Sequence, residues 1–289
     1  MNISQLKQLV QNNLWYGENS REQNRGFLLQ EQGFISPDPN RILGIDNSDW
    51  NPMVDYVKMK AAGVKYVVLK AADGSLKSKY YDLNKGKVKA AGLPFDNYNW
   101  LYPNNKVLIS AQVNTWVSIA KADPPRHVSI DFEPTKYGGV QANPTEADLK
   151  DATARFEDGY GESPIIYSAK YYTDQYLSAT FPVNSFRWWL AHYGVAIPYM
   201  PKGLLIYFSH QFTSNLDAVK YGSDGSSLSF DGNYFNGTPE QFNAEYGIVV
   251  QPPPPSIFIT HSFSDTVSLN GQEYTADFSV QNVEYKPKA

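Results

Sequence analysis

From Arg41 onward, short apolar runs alternate with longer stretches of helical spacing, and nothing else in the chain narrows its fold as much. An apolar run of about four to eight residues suits a buried strand, and a longer amphipathic stretch suits a covering helix. Repeated strand and helix units build parallel strands sheathed by helices. Strands are expected over 42–46, 66–70, 95–98, 127–133, 164–167, 187–192, 204–212 and 228–230. Helices are expected over 53–62, 106–120 and 146–160, the last preceded by Asn143, Pro144 and Thr145 as start signals. Seven or eight such strands suggest an α/β barrel.

The ends of the chain have a different texture. Residues 1–40 hold one short amphipathic stretch (Ile3, Leu6, Leu9, Val10) and then a polar Gly/Asn/Gln/Pro-rich passage, read as an extension packed on the barrel. The barrel itself is assigned to 41–248. Four prolines at 252–255 make 249–256 a semi-rigid linker, since proline cannot join a helix or a central strand. The tail, 257–289, alternates apolar and polar residues around Asn270-Gly271, a strong local hairpin signal. A hairpin that small rarely folds alone, so it either docks on the barrel or adds strands to a neighbouring chain. There is no internal repeat.

Several classes of function fall away on composition. The chain has no cysteine, which removes thiolate nucleophiles and cysteine-ligated zinc. Its four histidines, His127, His192, His210 and His261, show no short ligand spacing, and neither a phosphate cradle nor a nucleophile elbow is present, so no metal and no cofactor are expected. A net charge of -4, without basic runs interleaved with aromatics, makes nucleic acid an unsuitable partner. No segment has the apolar length for membrane insertion, and the amino terminus lacks a signal-peptide pattern, so the chain is expected to be cytoplasmic when made.

The chemistry concentrates in His127-Val-Ser-Ile-Asp-Phe-Glu133, where Val128, Ile130 and Phe132 alternate with Ser129, Asp131 and Glu133. That is strand periodicity with one polar face, and it sets Asp131 and Glu133 on the same side, about 6.5 to 7 Å apart along the backbone. Two acids sharing a partly dry site cannot both ionise easily, so one is pushed toward its protonated form, as glycosidic cleavage requires of a general acid. The plainer alternative is a strand whose acids meet Lys or Arg partners or face water. Two further acids close apolar runs, Asp46 after 42–45 and Asp231 after 228–230, and both stand where strands should end. A barrel would gather these carboxyl ends on one face, although Asp also favours helix caps and turns.

Eight short segments, in order from about Arg41 to Tyr246, resemble the family 25 glycoside hydrolases, the Chalaropsis-type lysozymes. Gly44-Ile-Asp-Asn-Ser48 is similar to the family's opening Gly-Ile-Asp-x-Ser strand, and Leu69-Lys-Ala-Ala-Asp-Gly74 to its Lys-Ala-Thr-Glu-Gly segment. Ala90-Ala-Gly-Leu-Pro94 with Tyr98, Ser129-Ile-Asp-Phe-Glu133, Pro164-Ile-Ile-Tyr167 and Trp189-Leu-Ala-His-Tyr193 continue the series. Gln211-Phe-Thr-Ser214 and Asp231-Gly-Asn-Tyr-Phe235 complete it. The resemblance implies a modified TIM-like (β/α) barrel that cleaves the bond between N-acetylmuramic acid and N-acetylglucosamine in bacterial peptidoglycan. On that likeness Glu133 is the proton donor, and Asp131 orients the substrate's own acetamido group. Asp46 and Asp231 would hold hydroxyls or charge, or one of them would be a base for direct water attack. Tyr98, Tyr167 and Trp189, with Trp100 and Gln211, match groove positions.

Three departures bear on subsite detail: Asn99 replaces the family's His, Asp73 its Glu, and His210 its late Trp. Two other readings stand beside the muramidase, a non-catalytic glycan-binding or structural barrel and a chitinase-like hydrolase. The lack of an export signal fits a phage or prophage lysis enzyme, or a virion component, acting on the cell wall after release.

Overall fold

A computed structural model of the chain describes residues 34–249 and the backbone of 257–269 and 272–285. Eight strands close a barrel: β1 (Leu43–Asn47), β2 (Tyr66–Asp73), β4 (Phe95–Trp100), β5 (Val128–Asp131), β8 (Ile165–Ser168), β9 (Trp188–Ala191), β10 (Ser209–Asp217) and β11 (Ser229–Phe235). Short strands β3 (Leu76–Lys77), β6 (Lys136–Tyr137) and β7 (Val140–Gln141) lie in the connections. Neighbouring strands from β1 round to β10 run parallel. Only β11 runs the other way, antiparallel to both β10 and β1, and it completes the ring.

Helices cover the first part of this wall. They are α1 (Tyr56–Ala61), α2 (Tyr81–Ala90), α3 (Ile109–Ala122), α4 (Glu146–Tyr160), α5 (Lys170–Tyr176) and, after β11, α6 (Pro239–Glu245). Their ends follow local chemistry: the Asp55 carboxylate accepts from the Val57 and Lys58 amides at the start of α1, and Thr145 and Asp148 form a reciprocal capping box on α4. Gly161, at φ 94°, ends α4 in the left-handed conformation that glycine adopts without penalty. No helix joins β9 to β10, and β10 turns directly into antiparallel β11, which makes the barrel a modified one.

The main hydrophobic core lies between wall and helices, with Ile45, Val67, Leu69, Ile130, Phe132, Ile166, Trp188, Leu190 and Phe212 facing Val88, Val113, Trp116, Leu149 and Phe156. Alternate residues on the same strands must then face the barrel axis. Those positions hold Asp46, Tyr66, Lys70, Tyr98, Trp100, Ser129, Asp131, Tyr167, Trp189, Ser209 and Gln211, all buried. The interior is therefore largely polar and aromatic, while the aliphatic residues pack outside.

Gly44 shows how tightly that interior is filled. A Cβ placed on it would lie 2.3 Å from Cζ of the Tyr66 ring. The Tyr66 hydroxyl in turn donates to Ser209 Oγ at 3.1 Å, because Ser209 spends its own proton on the Tyr234 carbonyl. Burial, with the charges of Asp96 and Asp46 nearby, pushes the Tyr66 phenol up, so the hydroxyl stays a donor.

Sequence and structure differ at several strand ends, β2 and β4 running on to Asp73 and Trp100, and three other ends have a physical reason. The strand expected over 127–133 stops at Asp131, because Pro134 has no N–H to carry the ladder further. The strand expected over 204–212 begins only at Ser209, and Leu205 and Ile206 are exposed in the connection before it. The strand expected to close at Asp231 runs on to Phe235. Asp-Gly-Asn has the composition of a turn, yet Gly232 is set within the ladder by packing: a Cβ there would come 2.7 Å from Leu216 Cδ1 and 2.9 Å from the Phe212 ring.

The chain divides into two compact units, residues 1–242 and 243–289. In the second, β12 (Ile257–Leu269) and β13 (Gln272–Tyr285) form an antiparallel hairpin in which Leu269 stands opposite Gln272. The Asn270-Gly271 turn, the proline linker at 252–255 and the extension expected over 1–40, as far as residue 33, lie outside the described residues. Among the described residues no helix is long and apolar enough to cross a membrane.

Replacing Gly44 with Ala forces the Tyr66 ring aside and should cost about 1 to 3 kcal/mol, the usual range for overpacking. Chemical denaturation will show the loss, and Gly44→Ala combined with Tyr66→Leu should recover part of it. Full stability of the single variant would refute the packing argument.

Candidate active site

One carboxylate organises the carboxyl end of the barrel. Asp46 Oδ2 accepts from Gln211 Nε2 at 2.9 Å and from Asn233 Nδ2 at 2.7 Å. Gln211 Oε1 accepts from the Tyr167 and Tyr193 hydroxyls, each at 2.8 Å, and Asn233 Oδ1 accepts from the Trp189 indole N–H at 2.8 Å. A carboxylate only accepts and an indole only donates, so the orientation of the Asn233 amide follows from its partners. This net ties β1, β8, β9, β10 and β11 to a single side chain, with Tyr193 joining from just beyond β9.

Asp231 stands directly opposite Asp46 in the antiparallel register of β1 and β11. Residues so paired have Cα atoms about 4.5 to 5.5 Å apart and point to the same face. The position of Asp231 corrects the sequence reading: it lies near the start of its strand, not at a carboxyl end. It reaches the same face as the other acids because β11 runs against the rest of the wall.

Asp131 closes β5 with Trp100 of β4 on one side and Tyr167 of β8 on the other. Glu133 follows two residues later, beyond the strand and still buried, at 9% exposure. The backbone leading to it is gripped on both flanks. Leu101 N–H donates to the Asp131 carbonyl at 3.2 Å, Phe132 N–H to the Tyr167 carbonyl at 2.9 Å, and Ser168 Oγ–H to the Phe132 carbonyl at 2.6 Å. The Phe132 ring is wedged against Tyr172, with centroids 4.8 Å apart. Glu133 thus hangs from a segment with little freedom to move.

The aromatic candidates meet in the same interior. Trp189 lies between Tyr167, at 4.5 Å between centroids, and Tyr98, at 6.1 Å and edge-on. The Trp100 indole N–H donates to Thr135 Oγ1 at 2.7 Å. Tyr98, Trp100, Tyr167, Trp189 and Gln211 therefore share one face of the wall with Asp46, Asp131 and Asp231, and Glu133 stands just past the end of β5.

Other site residues were not singled out from the sequence. Lys70 is 5% exposed, with its ammonium 3.8 Å from Asp73 Oδ2 and 4.9 Å from the centre of the Trp100 ring. A lysine on the same face of a strand as Tyr66 and Val68 was the available signal. Asn233 and Tyr193 were quoted only as parts of motifs, although Asn233 alternates with Asp231 and so shares its face.

Of the three departures, Asn99 and His210 point away from the acids. Asn99 stands beside Ile130 of the outer core and donates to the Ser129 carbonyl at 3.4 Å. His210 Nε2 donates to the His192 carbonyl at 2.7 Å, and its ring packs near Tyr207 and Phe212. Only Asp73, beside Lys70 and in register with Trp100, remains at the site. Among the described residues no group of three or more His, Cys, Asp or Glu is placed to hold a metal ion.

Residues 45–220 match the family model described as Glycosyl hydrolases family 25. The chain belongs to this family. Lysozyme M1 of Streptomyces globisporus is 24% identical over 227 residues, covering 75% of this chain and 75% of that protein. An uncharacterized protein, YegX, of Escherichia coli O157:H7 is 25% identical over 210 residues, covering 70% and 72%. Among solved structures, a bacterial lysozyme from Streptomyces coelicolor superposes with a TM-score of 0.60 at 19% identity, covering 73% of this chain and 100% of that one. A muramidase from Acremonium alcalophilum gives 0.59 at 20%, covering 71% and 99%. At such identities the structural likenesses speak for the fold, the modified TIM-like barrel. As a member of family 25, the protein is a glycoside hydrolase.

His210 gives this glycoside hydrolase a pH-dependent stability. Burial lowers its pKa to about 4, with the charges of Arg41 and His192 acting in the same direction and the hydrogen bond to the His192 carbonyl opposing them. The unfolded chain, with an ordinary His near 6.5, therefore binds the proton first as pH falls. Stability present above about pH 6.5 should drain away toward pH 4, by roughly 1 to 3 kcal/mol. Denaturation of the wild type and His210→Phe at pH 7 and pH 4.5 will test this. The wild type should lose more than the variant, and equal losses would sink the assignment to His210.

Proposed function

We propose that this family 25 glycoside hydrolase is an N-acetylmuramidase, cutting the β-1,4 bond between N-acetylmuramic acid and N-acetylglucosamine in bacterial peptidoglycan. The observation that carries the reading is the gathering of Asp46, Asp131, Glu133 and Asp231 at one end of the barrel beside Tyr98, Tyr167 and Trp189. The relatives named as a lysozyme and a muramidase support the choice of wall polymer.

In this reading Glu133, buried just past the end of β5, donates a proton to the leaving glycosidic oxygen. Asp131 accepts a hydrogen bond from the N–H of the substrate's 2-acetamido group and turns its carbonyl oxygen toward the anomeric carbon. That oxygen forms the new bond as the glycosidic bond breaks, giving an oxazoline-like intermediate. Water then attacks the anomeric carbon as its bond to the acetamido oxygen breaks, Glu133 takes the water's proton, the acetamido group is restored, and the configuration is retained. Asp46 is held as an oriented carboxylate by two amide donors, and with Asp231 it binds sugar hydroxyls and balances the positive charge developing on the ring.

Purified peptidoglycan treated with the protein should yield fragments ending in reducing N-acetylmuramic acid, identified by mass analysis. Glu133→Gln should lower their release by at least about 100-fold, the usual worth of a general acid, with thermal unfolding unchanged. Reducing N-acetylglucosamine ends, or cleavage of chitin in place of peptidoglycan, would overturn the bond assignment. Absence of cleavage on both polymers would turn the site into a glycan-binding one.

A further inference from the structure

Beyond Glu133 the chain builds an arm that the four acids do not require. Strands β6 and β7 pair Tyr137 with Val140 across Gly138-Gly139, whose φ values of 57° and 81° are those of a tight two-residue hairpin turn. The neck of this arm is fixed. Ala142 N–H donates to the Thr135 carbonyl at 2.9 Å, Thr135 N–H to Asn143 Oδ1 at 3.3 Å, and Asn143 Nδ2 to the Tyr176 hydroxyl at 2.6 Å. Thr135 Oγ1 also receives the Trp100 indole N–H. The tip stands clear, since a Cβ added to Gly138 or Gly139 would meet nothing within 4 Å.

On this arm Tyr137 is 46% exposed and sits edge-on to Tyr102, with ring centroids 5.6 Å apart. Tyr102 is held just as firmly. Its N–H donates to Gln112 Oε1 at 2.9 Å, its carbonyl accepts from Gln112 Nε2 at 2.8 Å, and Gln112 is fully buried on α3. The Tyr102 ring occupies the space a side chain at Gly74 would need, 2.8 Å from the would-be Cβ. Both rings are thus set in place before any ligand arrives, one continuing β4 past Trp100 and the other following Glu133 by four residues.

We propose that Tyr102 and Tyr137 form an outer saccharide platform, on which a β-1,4-linked N-acetylhexosamine chain stacks beyond the pair of sugars being cut. The proposal rests on the muramidase reading and extends it outward. Four residues of chain reach at most about 14 Å, so a ring on Tyr137 stays within a few sugars of the bond at Glu133. Aromatic rings offer an apolar face to sugar C–H groups and a hydroxyl to their polar edges, and rigid rings lose little entropy on contact. An arm needed only to buttress Glu133 would have no reason to carry a half-exposed tyrosine beyond its clamped neck.

The test compares wild type, Tyr137→Ala and Tyr137→Phe on uncrosslinked long glycan strands and on the shortest oligosaccharide that the wild type cleaves. Tyr137→Ala should raise KM on long strands roughly 2- to 10-fold, the worth of one aromatic contact. It should leave kcat, and both constants on the short substrate, unchanged, and Tyr137→Phe should behave as the wild type. Equal kinetics of Tyr137→Ala and wild type on long strands would overturn the platform, as would equal losses on long and short substrates, which would assign the arm to supporting Glu133. A wild type that cleaves neither glycan fails earlier and differently, by removing the muramidase reading before any variant is compared.

Discussion

The antiparallel seam between β1 and β11 is the constraint on which the site depends. A barrel of parallel strands alone offers one residue per strand end, and adjacent acids come from separate connections. Reversing the last strand sets Asp231 directly across from Asp46 and brings Asn233 within reach of the Asp46 carboxylate. Gln211, on the other side of β11, completes the pair of donors. Ring closure and the assembly of the acidic centre are therefore one event: without this seam, Asp46 would lose its Asn233 partner along with its neighbouring acid.

Such an interior is expensive to build, because buried polar groups must be hydrogen-bonded to offset lost hydration. The barrel meets that demand with side chains that work in both directions. Gln211 and Asn233 each accept on oxygen and donate on nitrogen, relaying the hydroxyls of Tyr167 and Tyr193 and the indole of Trp189 to one carboxylate. Aromatic rings take the place of aliphatic filling inside, and the aliphatic core is moved to the outer face of the wall. Stability resides chiefly in the outer layer, and the inner one is left for chemistry. The price is tight geometry, visible at Gly44 and Gly232, where glycine is the residue that lets ring and backbone meet.

How much of this was legible in the sequence follows from the range of the forces involved. Strand and helix periodicity is local, so the eight barrel strands and α4 could be read directly, and the alternation in 127–133 separated Asp131 from Ile130 correctly. Strand ends were less legible, since Asp231-Gly-Asn carries turn composition and only packing against Phe212 and Leu216 makes it strand. The direction of β11 was invisible, because periodicity has no sign. Lys70, Asn233 and Tyr193 went unassigned for a related reason: their importance lies in partners distant in sequence. Asn99 and His210, alarming as departures from a pattern, proved to be on the far side of the wall, where strand parity alone could have put them.

The inner site and the rim obey different rules of substitution. Inside, each side chain is shared among several partners, so a change at Gln211 disturbs Asp46, Tyr167 and Tyr193 together. On the rim, Tyr137 has one described ring partner and an open side, so its chemistry can vary without touching Glu133. Thr135 is the joint between these regimes, bonded inward to Trp100 and along the arm to Ala142 and Asn143. On the proposed reading, a fold arranged this way separates the reaction, assigned to the cooperative polar net, from the grip on a long polymer, assigned to an arm joined to that net through Thr135. That separation lets wall specificity drift at the rim while the bond-breaking geometry stays put.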